Sequence, residues 1–143
     1  MDLIVKPGKA LKGEILMPGD KSISHRSIMC AAIAKGSSVI RGFLKGEDCL
    51  ATLDAFSKMG VNIDQHEKEI VVHGVGLQGL KKPNSDLYLG NSGTSMRLMS
   101  GLLCGQSFSS TLTGDASLSF RPMERIVTPL TTMGANISCG KGG

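Results

Sequence analysis

The sequence predicts a mixed α/β fold, of the α+β kind, built from two copies of a β-α-β-α-β-β unit. One observation is a repeat: Met-Gly-x-Asn-Ile occurs at 59–63 and again at 133–137, about 74 residues apart. A second is that short apolar runs alternate with amphipathic helical patterns ahead of each motif. A third is that the second copy stops before its last strand. Because an unpaired strand exposes an edge, we expect further chain or a partner to supply that strand.

The first copy is predicted at 15–80. Its elements are a strand at 13–17, a helix at 21–36 that ends at Gly36, a strand at 37–44, a helix at 47–60, and two strands at 61–67 and 69–75 that form a hairpin. The apolar faces of the two helices are predicted from Ile28, Ala31, Ala32 and Ile33, and from Leu50, Leu53 and Phe56. Residues 1–14 are predicted to be a leading strand.

The second copy is predicted at 81–143 and runs in the same order. Its elements are a strand at 86–90, a helix at 92–105, a strand at 107–114, a helix at 121–134 and a strand at 135–139. Met96, Met99, Leu102 and Leu103 are predicted to face the core. Pro129 lies inside the last helix, where a proline costs roughly 3 kcal/mol through a missing hydrogen bond and a kink.

Composition limits the function classes. The chain has 143 residues, of which 41% are hydrophobic and 20% charged, as in ordinary globular domains. Aromatic residues make up 3%, which disfavours a stacking surface for single-stranded nucleic acid. The net charge of +4 is scattered along the chain, so a few cations placed around a small anion are a better explanation than a polyanion-binding face.

The cysteines and the termini indicate a cytoplasmic protein. None of the four cysteines forms a Cys-x-x-Cys pair and only three histidines are present, so no metal site is expected. Cys30 and Cys104 lie in apolar helical patterns and are predicted to be buried thiols, which suggests a reducing compartment. Residues 1–10 lack the apolar stretch of a signal peptide, and no run is long enough to span a membrane.

Three segments resemble anion sites, because each opens or precedes a helix, where unpaired N–H groups and the helix dipole attract negative charge. In "PGDKSISHR", Lys21 and Ser22 stand at the helix start and Arg26 follows one turn after Ser22. Lysine supplies a point charge, and arginine can hold a carboxylate or phosphate with two parallel bonds.

The segments "GNSGTSMR" at 90–97 and "GDASLSFRPMER" at 114–125 repeat this arrangement. Gly90 and Gly93 permit close backbone approach, Asn91 supplies a polar cap, and Arg121 stands before Pro122, predicted near the first turn of the next helix. Gly-Lys-Ser/Thr is missing, so this is not a P-loop.

Structural explanations remain open for the same residues. Ser22 and Asn91 could be plain helix caps, and His25 is assigned to structure or solvent rather than to chemistry. Asp20, Glu47 and Asp48 are interpreted as turn and cap residues. The cations favour a ligand, because the helix dipole opposes positive charge at a helix start unless an anion lies there.

Three motifs together resemble the 5-enolpyruvylshikimate-3-phosphate synthase (3-phosphoshikimate 1-carboxyvinyltransferase) family. They are "PGDKSISHRS", "GNSGTSMRLMSGLL" and "TGDASLSFRPM", and the resemblance covers essentially the whole chain as the amino-terminal part of the family. It implies an inside-out α/β barrel type of fold, in which each of two domains carries three such units. In that family the first residues belong to the other domain, so residues 1–14 are expected to do so here.

The resemblance also implies a reaction. Family members transfer the enolpyruvyl group of phosphoenolpyruvate to the 5-hydroxyl of shikimate 3-phosphate and release phosphate, a step toward chorismate and the aromatic amino acids. The family implies no cofactor, no nucleic acid and no membrane, and a monomeric full enzyme. Lys21 matches a residue that touches both substrates and could take part in proton transfer. Ser22 and Arg26 match the shikimate 3-phosphate side.

Asn91, Gly93 and Arg121 match the phosphoenolpyruvate side, where the inhibitor glyphosate competes. "GDKSISHRS" resembles glyphosate-tolerant bacterial forms, whereas Gly93 stands where some tolerant forms have Ala, which predicts sensitivity. The family's other acid, base and phosphate-binding groups have no counterpart in these residues. We therefore expect the chain alone to be inactive.

Two alternatives remain. UDP-N-acetylglucosamine enolpyruvyl transferase has a similar architecture, but its Lys-Asn start and its cysteine-bearing loop are not found here. The other alternative is a non-catalytic anion-binding or assembly fragment with a free sheet edge. Binding of shikimate 3-phosphate would argue against both.

Overall fold

The computed structural model describes residues 2–140 of the chain. Its elements follow the predicted alternation of helices and strands. In the first half they are α1 (Lys21–Ile33), β1 (Lys35–Arg41), α2 (Glu47–Lys58), β2 (Asn62–Gln65) and β3 (Glu69–Val75). In the second half they are β4 (Leu87–Tyr88), α3 (Gly93–Cys104), β5 (Leu112–Thr113), α4 (Ala116–Ser119) and α5 (Glu124–Thr132).

The strands form two separate sheets. β1, β3 and β2 form an antiparallel sheet in that order, and β2 and β3 are the predicted hairpin. β4 and β5 form a parallel pair. One sheet thus falls within 15–80 and the other within 81–143, although the domain boundaries themselves stay a prediction.

The core lies between the three-stranded sheet and helices α1, α2 and α3. The predicted core faces are confirmed at Ile28, Phe56 and Met99, each fully buried, whereas Leu50 lies at the rim with 36% of its surface exposed. Burying side chains of this size contributes about 1.5–3 kcal/mol each. Their packing holds the amino ends of the three helices in fixed relative positions.

Helix α1 ends earlier than predicted, at Ile33 instead of Gly36. Ala34 is already extended, and its carbonyl accepts the N–H of Gly76 at 2.9 Å. Pairing of β1 with β3 then begins at Lys35. The chain therefore joins the sheet before it reaches Gly36, and no glycine is needed to end the helix.

Three predicted strands are absent among residues 2–140. The leading strand predicted at 1–14 is not formed at residues 2–14. Residues 13–17 form no strand, since no strand among the described residues pairs with them and Leu16 is fully exposed. Gly19, which follows this segment, lies close to the loop after β1. A Cβ on Gly19 would be 1.9 Å from the carbonyl oxygen of Gly42. Residues 135–139 form no strand either, because no strand among residues 2–140 pairs with them.

Two other predictions need correction. Cys30 and Cys104 are exposed, because they lie beside the core-facing stripes of their helices, and Cys49 is the buried cysteine. The last helix begins at Glu124 and not at Arg121, with a short unpredicted helix, α4, before it. It does contain Pro129, as expected. No helix among residues 2–140 has the length and apolar character needed to cross a membrane.

Gly74 sets the distance between β3 and α1, which gives a test of the packing. A Cβ at Gly74 would lie 2.4 Å from the carbonyl oxygens of Ala31 and Ala34. We expect Gly74→Ala to lower the free energy of unfolding by about 1–3 kcal/mol, because backbone atoms must move apart. Chemical denaturation of the chain measures this change.

The matched control is Gly101→Ala on α3, where a Cβ meets nothing within 4 Å. Alanine is the better helix former, so this variant is expected to gain about 0.5–1 kcal/mol. Equal effects of the two substitutions would show that β3 and α1 are not in close contact.

Candidate functional site

The start of α1 is capped by Asp20 and not by Ser22. The Asp20 carboxylate accepts the N–H of Ile23 at 2.7 Å. Ser24, buried, donates its hydroxyl to the Asp20 carbonyl and accepts the N–H of Leu44 at 2.9 Å, which ties the loop after β1 to this helix. The hydroxyl of Ser22 is half-buried and makes no hydrogen bond among residues 2–140, so capping does not account for it.

Lys21 is the first residue of α1 and forms an ion pair with Asp48 in the first turn of α2. The Lys21 side chain remains 52% exposed, so a ligand can reach the ammonium group. The partner carboxylate offsets the unfavourable interaction of a cation with the helix dipole. Arg26 lies one turn along the same helix and is exposed.

The start of α3 is capped by Ser92, whose hydroxyl accepts the N–H of Ser95 at 3.2 Å. Gly90, two residues earlier, has a φ of 58°, a left-handed conformation that favours glycine. Because Ser92 caps α3, the side chain of Asn91 is not needed as a cap, and it turns to the segment around α4.

Asn91 holds Arg121 in place. Its amide NH₂ donates to the carboxylate of Asp115 at 2.8 Å, and its carbonyl oxygen accepts from Arg121. Asp115 in turn caps α4 by accepting the N–H of Leu118 at 2.7 Å. A hydrogen-bonded chain thus fixes the guanidinium of Arg121 beside the start of α3.

Two guanidinium groups converge on Gly93. A Cβ at Gly93 would lie 2.9 Å from Nη1 of Arg121 and 2.9 Å from Nη1 of Arg97. The two nitrogens are therefore within about 6 Å of each other, a separation at which like charges repel when partly shielded from water. Arg97 also donates to the carbonyl of Gly93 at 3.4 Å.

This pair of cations is not neutralised by the residues that the structure describes. No carboxylate of residues 2–140 forms an ion pair with Arg97 or Arg121, and the buried Nε of Arg97 has no hydrogen-bond partner among them. Both groups lie at the positive end of α3. The arrangement is suited to an anion that carries a carboxylate or a phosphate.

A buried polar cluster joins the starts of α1, α2 and α3. We call it the His25 cluster; its members are His25, Cys49, Thr52, Ser92 and Ser95. Nδ1 of His25 lies 2.8 Å from Oγ1 of Thr52 and 3.1 Å from Oγ of Ser95. Its Nε2 faces the hydroxyl of Ser92 at 3.5 Å and the thiol of Cys49 at 3.8 Å.

Burial determines the charge state of this cluster. It lowers the pKa of His25, and the nearby Lys21 ammonium lowers that pKa further, against a raising effect of Asp48. Burial also raises the pKa of the Cys49 thiol. The imidazole and the thiol are therefore both neutral near pH 7, which suits a structural role for His25.

The site residues predicted from the sequence fall into two groups on adjacent helix starts. Lys21, Ser22 and Arg26 lie on α1, and Asn91, Gly93 and Arg121 lie on and beside the start of α3. Arg97 was not predicted. The signal for it is spacing, because Arg97 stands as far after Gly90 as Arg26 stands after Gly19. The six predicted functional roles stay predictions.

Comparisons with known proteins all identify one family. The family model described as EPSP synthase (3-phosphoshikimate 1-carboxyvinyltransferase) matches residues 5–143. Proteins named 3-phosphoshikimate 1-carboxyvinyltransferase are similar to the chain: the one from Alkalilimnicola ehrlichii is 60% identical over 100% of this chain, and the one from Legionella pneumophila (strain Corby) is 58% identical over 99%. The chain spans 32% and 33% of those proteins.

A solved structure agrees as well. The EPSP synthase from Acinetobacter baumannii superimposes with a TM-score of 0.86 at 59% sequence identity, covering 96% of this chain and 32% of that one. The fold class predicted from the sequence is thereby confirmed as that of the enolpyruvyl transferases, without a closed barrel in residues 2–140. The chain belongs to the EPSP synthase family.

Proposed function

We propose that this chain supplies the helix-start part of an active site that transfers the enolpyruvyl group of phosphoenolpyruvate to the 5-hydroxyl of shikimate 3-phosphate, with release of phosphate. The chain spans about a third of its relatives' length, so the reaction is proposed for a complete enzyme that contains these residues and not for this chain alone. The observation that carries the proposal is the pair of guanidinium groups at Gly93, which no carboxylate of residues 2–140 neutralises, in a member of this family.

The α1 start is assigned to shikimate 3-phosphate. Lys21 and Arg26 would neutralise the phosphate or carboxylate of this substrate, and the unbonded hydroxyl of Ser22 would donate a hydrogen bond to it. The ion pair with Asp48 keeps Lys21 close to the helix start when no substrate is bound.

The α3 start is assigned to phosphoenolpyruvate. Arg121 is already oriented by Asn91, so binding would cost less side-chain entropy there than for a free arginine. The missing side chain of Gly93 leaves space in front of both guanidinium groups. An anion in that space would neutralise both groups.

The chemistry explains why cations are collected here. Both substrates are anions that repel each other, so positioning and charge neutralisation supply much of the catalysis. A base takes the proton of the 5-hydroxyl, its oxygen adds to the enolpyruvyl carbon, and an acid protonates the methylene carbon. The tetrahedral intermediate then loses phosphate and a proton. Lys21, the first residue of α1, is proposed to transfer one of these protons.

The remaining assignments follow the same family. Residues 2–17 carry exposed apolar side chains such as Ile4 and Leu11, which supports placing 1–14 against another part of the complete enzyme. The units at 15–80 and 81–143 would be the first two of the repeated units. Action in the cytoplasm and as a monomer stay predictions.

Removal of the Lys21 ammonium tests the shikimate 3-phosphate side. In a complete EPSP synthase that carries these 143 residues, we expect Lys21→Ala to lower kcat/KM for phosphate release by about 100-fold or more, because a charge that contacts both substrates is lost. Phosphate release from the two substrates is measured directly. Lys58→Ala is the matched control, since Lys58 pairs with Asp54 at the far end of α2.

Three outcomes bear on the proposal. Loss of turnover in Lys21→Ala alone supports it. Equal rates in both variants would contradict the role of Lys21. No release even without a substitution, together with no binding of shikimate 3-phosphate, would favour the non-catalytic alternative.

A methyl group at Gly93 tests the phosphoenolpyruvate side. We expect Gly93→Ala to raise the KM for phosphoenolpyruvate and the half-inhibiting concentration of glyphosate by about tenfold or more, equivalent to ~1.4 kcal/mol of lost binding. The reason is that the Cβ would intrude between the two guanidinium groups. Inhibition curves at fixed shikimate 3-phosphate measure both effects.

Gly101→Ala on the same helix is the control and should leave both values unchanged. If the unsubstituted enzyme already resists glyphosate at high concentration, the sensitivity predicted from Gly93 is wrong, and "GDKSISHRS" is the better indicator of tolerance.

A further inference from the structure

We propose that the His25 cluster is a positioning device that sets the spacing between the two substrate subsites, one on α1 and one on α3. The inference rests on the proposed function, because it concerns the same subsites. No member of the cluster is among the residues assigned to substrate. The cluster residues would act on the substrates indirectly, by fixing the positions of Lys21 and Gly93.

One arm of the cluster reaches the backbone of Lys21. The thiol of Cys49, on α2, lies 3.7 Å from the carbonyl oxygen of Lys21 and 3.8 Å from Nε2 of His25. Cys49 is 1% exposed and His25 is fully buried, so water does not compete for these contacts. The first turn of α1 is thereby connected to the imidazole.

The other arm reaches the start of α3. His25 contacts Ser95 at 3.1 Å, and Ser95 contacts Ser92 at 2.7 Å and Thr52 at 2.6 Å. Ser92 is the capping residue directly before Gly93. A short run of buried hydrogen bonds therefore connects the backbone of Lys21 with that of Gly93.

The two ends of this connection are not equally dependent on it. Helix α1 is also held by the bond between Leu44 and Ser24 and by its close packing on Gly74. Among residues 2–140, the other hydrogen bonds at the start of α3, from Asn91 to Asp115 and from the Asp115 N–H to the Gly90 carbonyl, run to the segment around α4 and not to α1. Weakening the cluster should therefore displace Gly93 more than Lys21, and should affect phosphoenolpyruvate more than shikimate 3-phosphate.

The cluster works with a neutral imidazole. The titratable or charged groups that face His25 are Lys21 on its own helix and Asp48 and Cys49 on α2, while Ser92 and Ser95 of α3 carry no charge. Since the folded pKa lies below the ordinary value, the stabilisation is complete above about pH 6.5 and is lost as pH falls toward the folded pKa.

The test compares two serines of α3 in a complete EPSP synthase that carries these 143 residues. Ser95→Ala removes the hydroxyl that joins His25, Thr52 and Ser92. Ser100→Ala is the matched control, because within the described part of the chain the Ser100 hydroxyl donates only to the Met96 carbonyl of its own helix. We expect Ser95→Ala to raise the KM for phosphoenolpyruvate about fivefold or more and to change that for shikimate 3-phosphate less than about twofold.

Substitution of the imidazole provides a rescue. We expect His25→Leu to raise the KM for phosphoenolpyruvate. His25→Asn retains a polar group near the position of Nδ1, so its KM should stay close to that of the unsubstituted enzyme. The effects of His25→Leu and Ser95→Ala should also be non-additive, because both remove the same connection.

Hydrogen exchange gives a readout that needs no turnover. In Ser95→Ala the amides of residues 90–97 should exchange faster, those of 21–33 should not, and Ser100→Ala should change neither. A uniform loss of thermal stability without a KM split or a local change in exchange would overturn the proposal. If the unsubstituted enzyme fails to turn over, the proposed function fails, and the exchange pattern still decides on the positioning role.

Discussion

The buried imidazole of His25 lies where the amino ends of three helices meet, and its hydrogen bonds are the contacts common to all three. Thr52 and Cys49 of α2 and Ser92 and Ser95 of α3 surround it. Helix starts are regions of partial positive charge, so bringing three of them together is unfavourable unless anions or polar groups lie between them. Neutral hydrogen-bonding side chains fill the buried junction, whereas Lys21 is half exposed and Arg97 and Arg121 are partly buried.

That division accounts for the unusual distribution of charge. Lys21 is balanced by Asp48, whereas Arg97 and Arg121 are balanced by no carboxylate among residues 2–140. A protein gains little stability from two guanidinium groups held close together at a helix start. Their hydrogen-bonded placement through Asn91 and Asp115 is explained by an anion that binds there, which agrees with the family to which the chain belongs.

Much of this could be predicted from residue patterns, and the failures have physical causes. Helical periodicity and the Met-Gly-x-Asn-Ile repeat place α1, α2, α3 and the β2–β3 hairpin correctly. Strands at 13–17 and 135–139 were predicted from local pattern alone, but a strand forms only where a neighbour pairs with it. The cap at Asp20 and the exposure of Cys30 depend on tertiary packing. The convergence of Arg97 on Gly93 also depends on tertiary packing. The sequence indicates it only through the spacing that Arg97 shares with Arg26.

The most direct test of the His25 junction is a pH titration of the three histidine rings by nitrogen-15 NMR. The junction requires His25 to stay neutral, with its proton fixed on one ring nitrogen, below about pH 6.5, where an ordinary imidazole becomes protonated, because burial lowers the pKa of His25. A His25 ring that becomes protonated at the ordinary imidazole pKa of about 6.5, or that exchanges freely between its two neutral forms, would contradict the account.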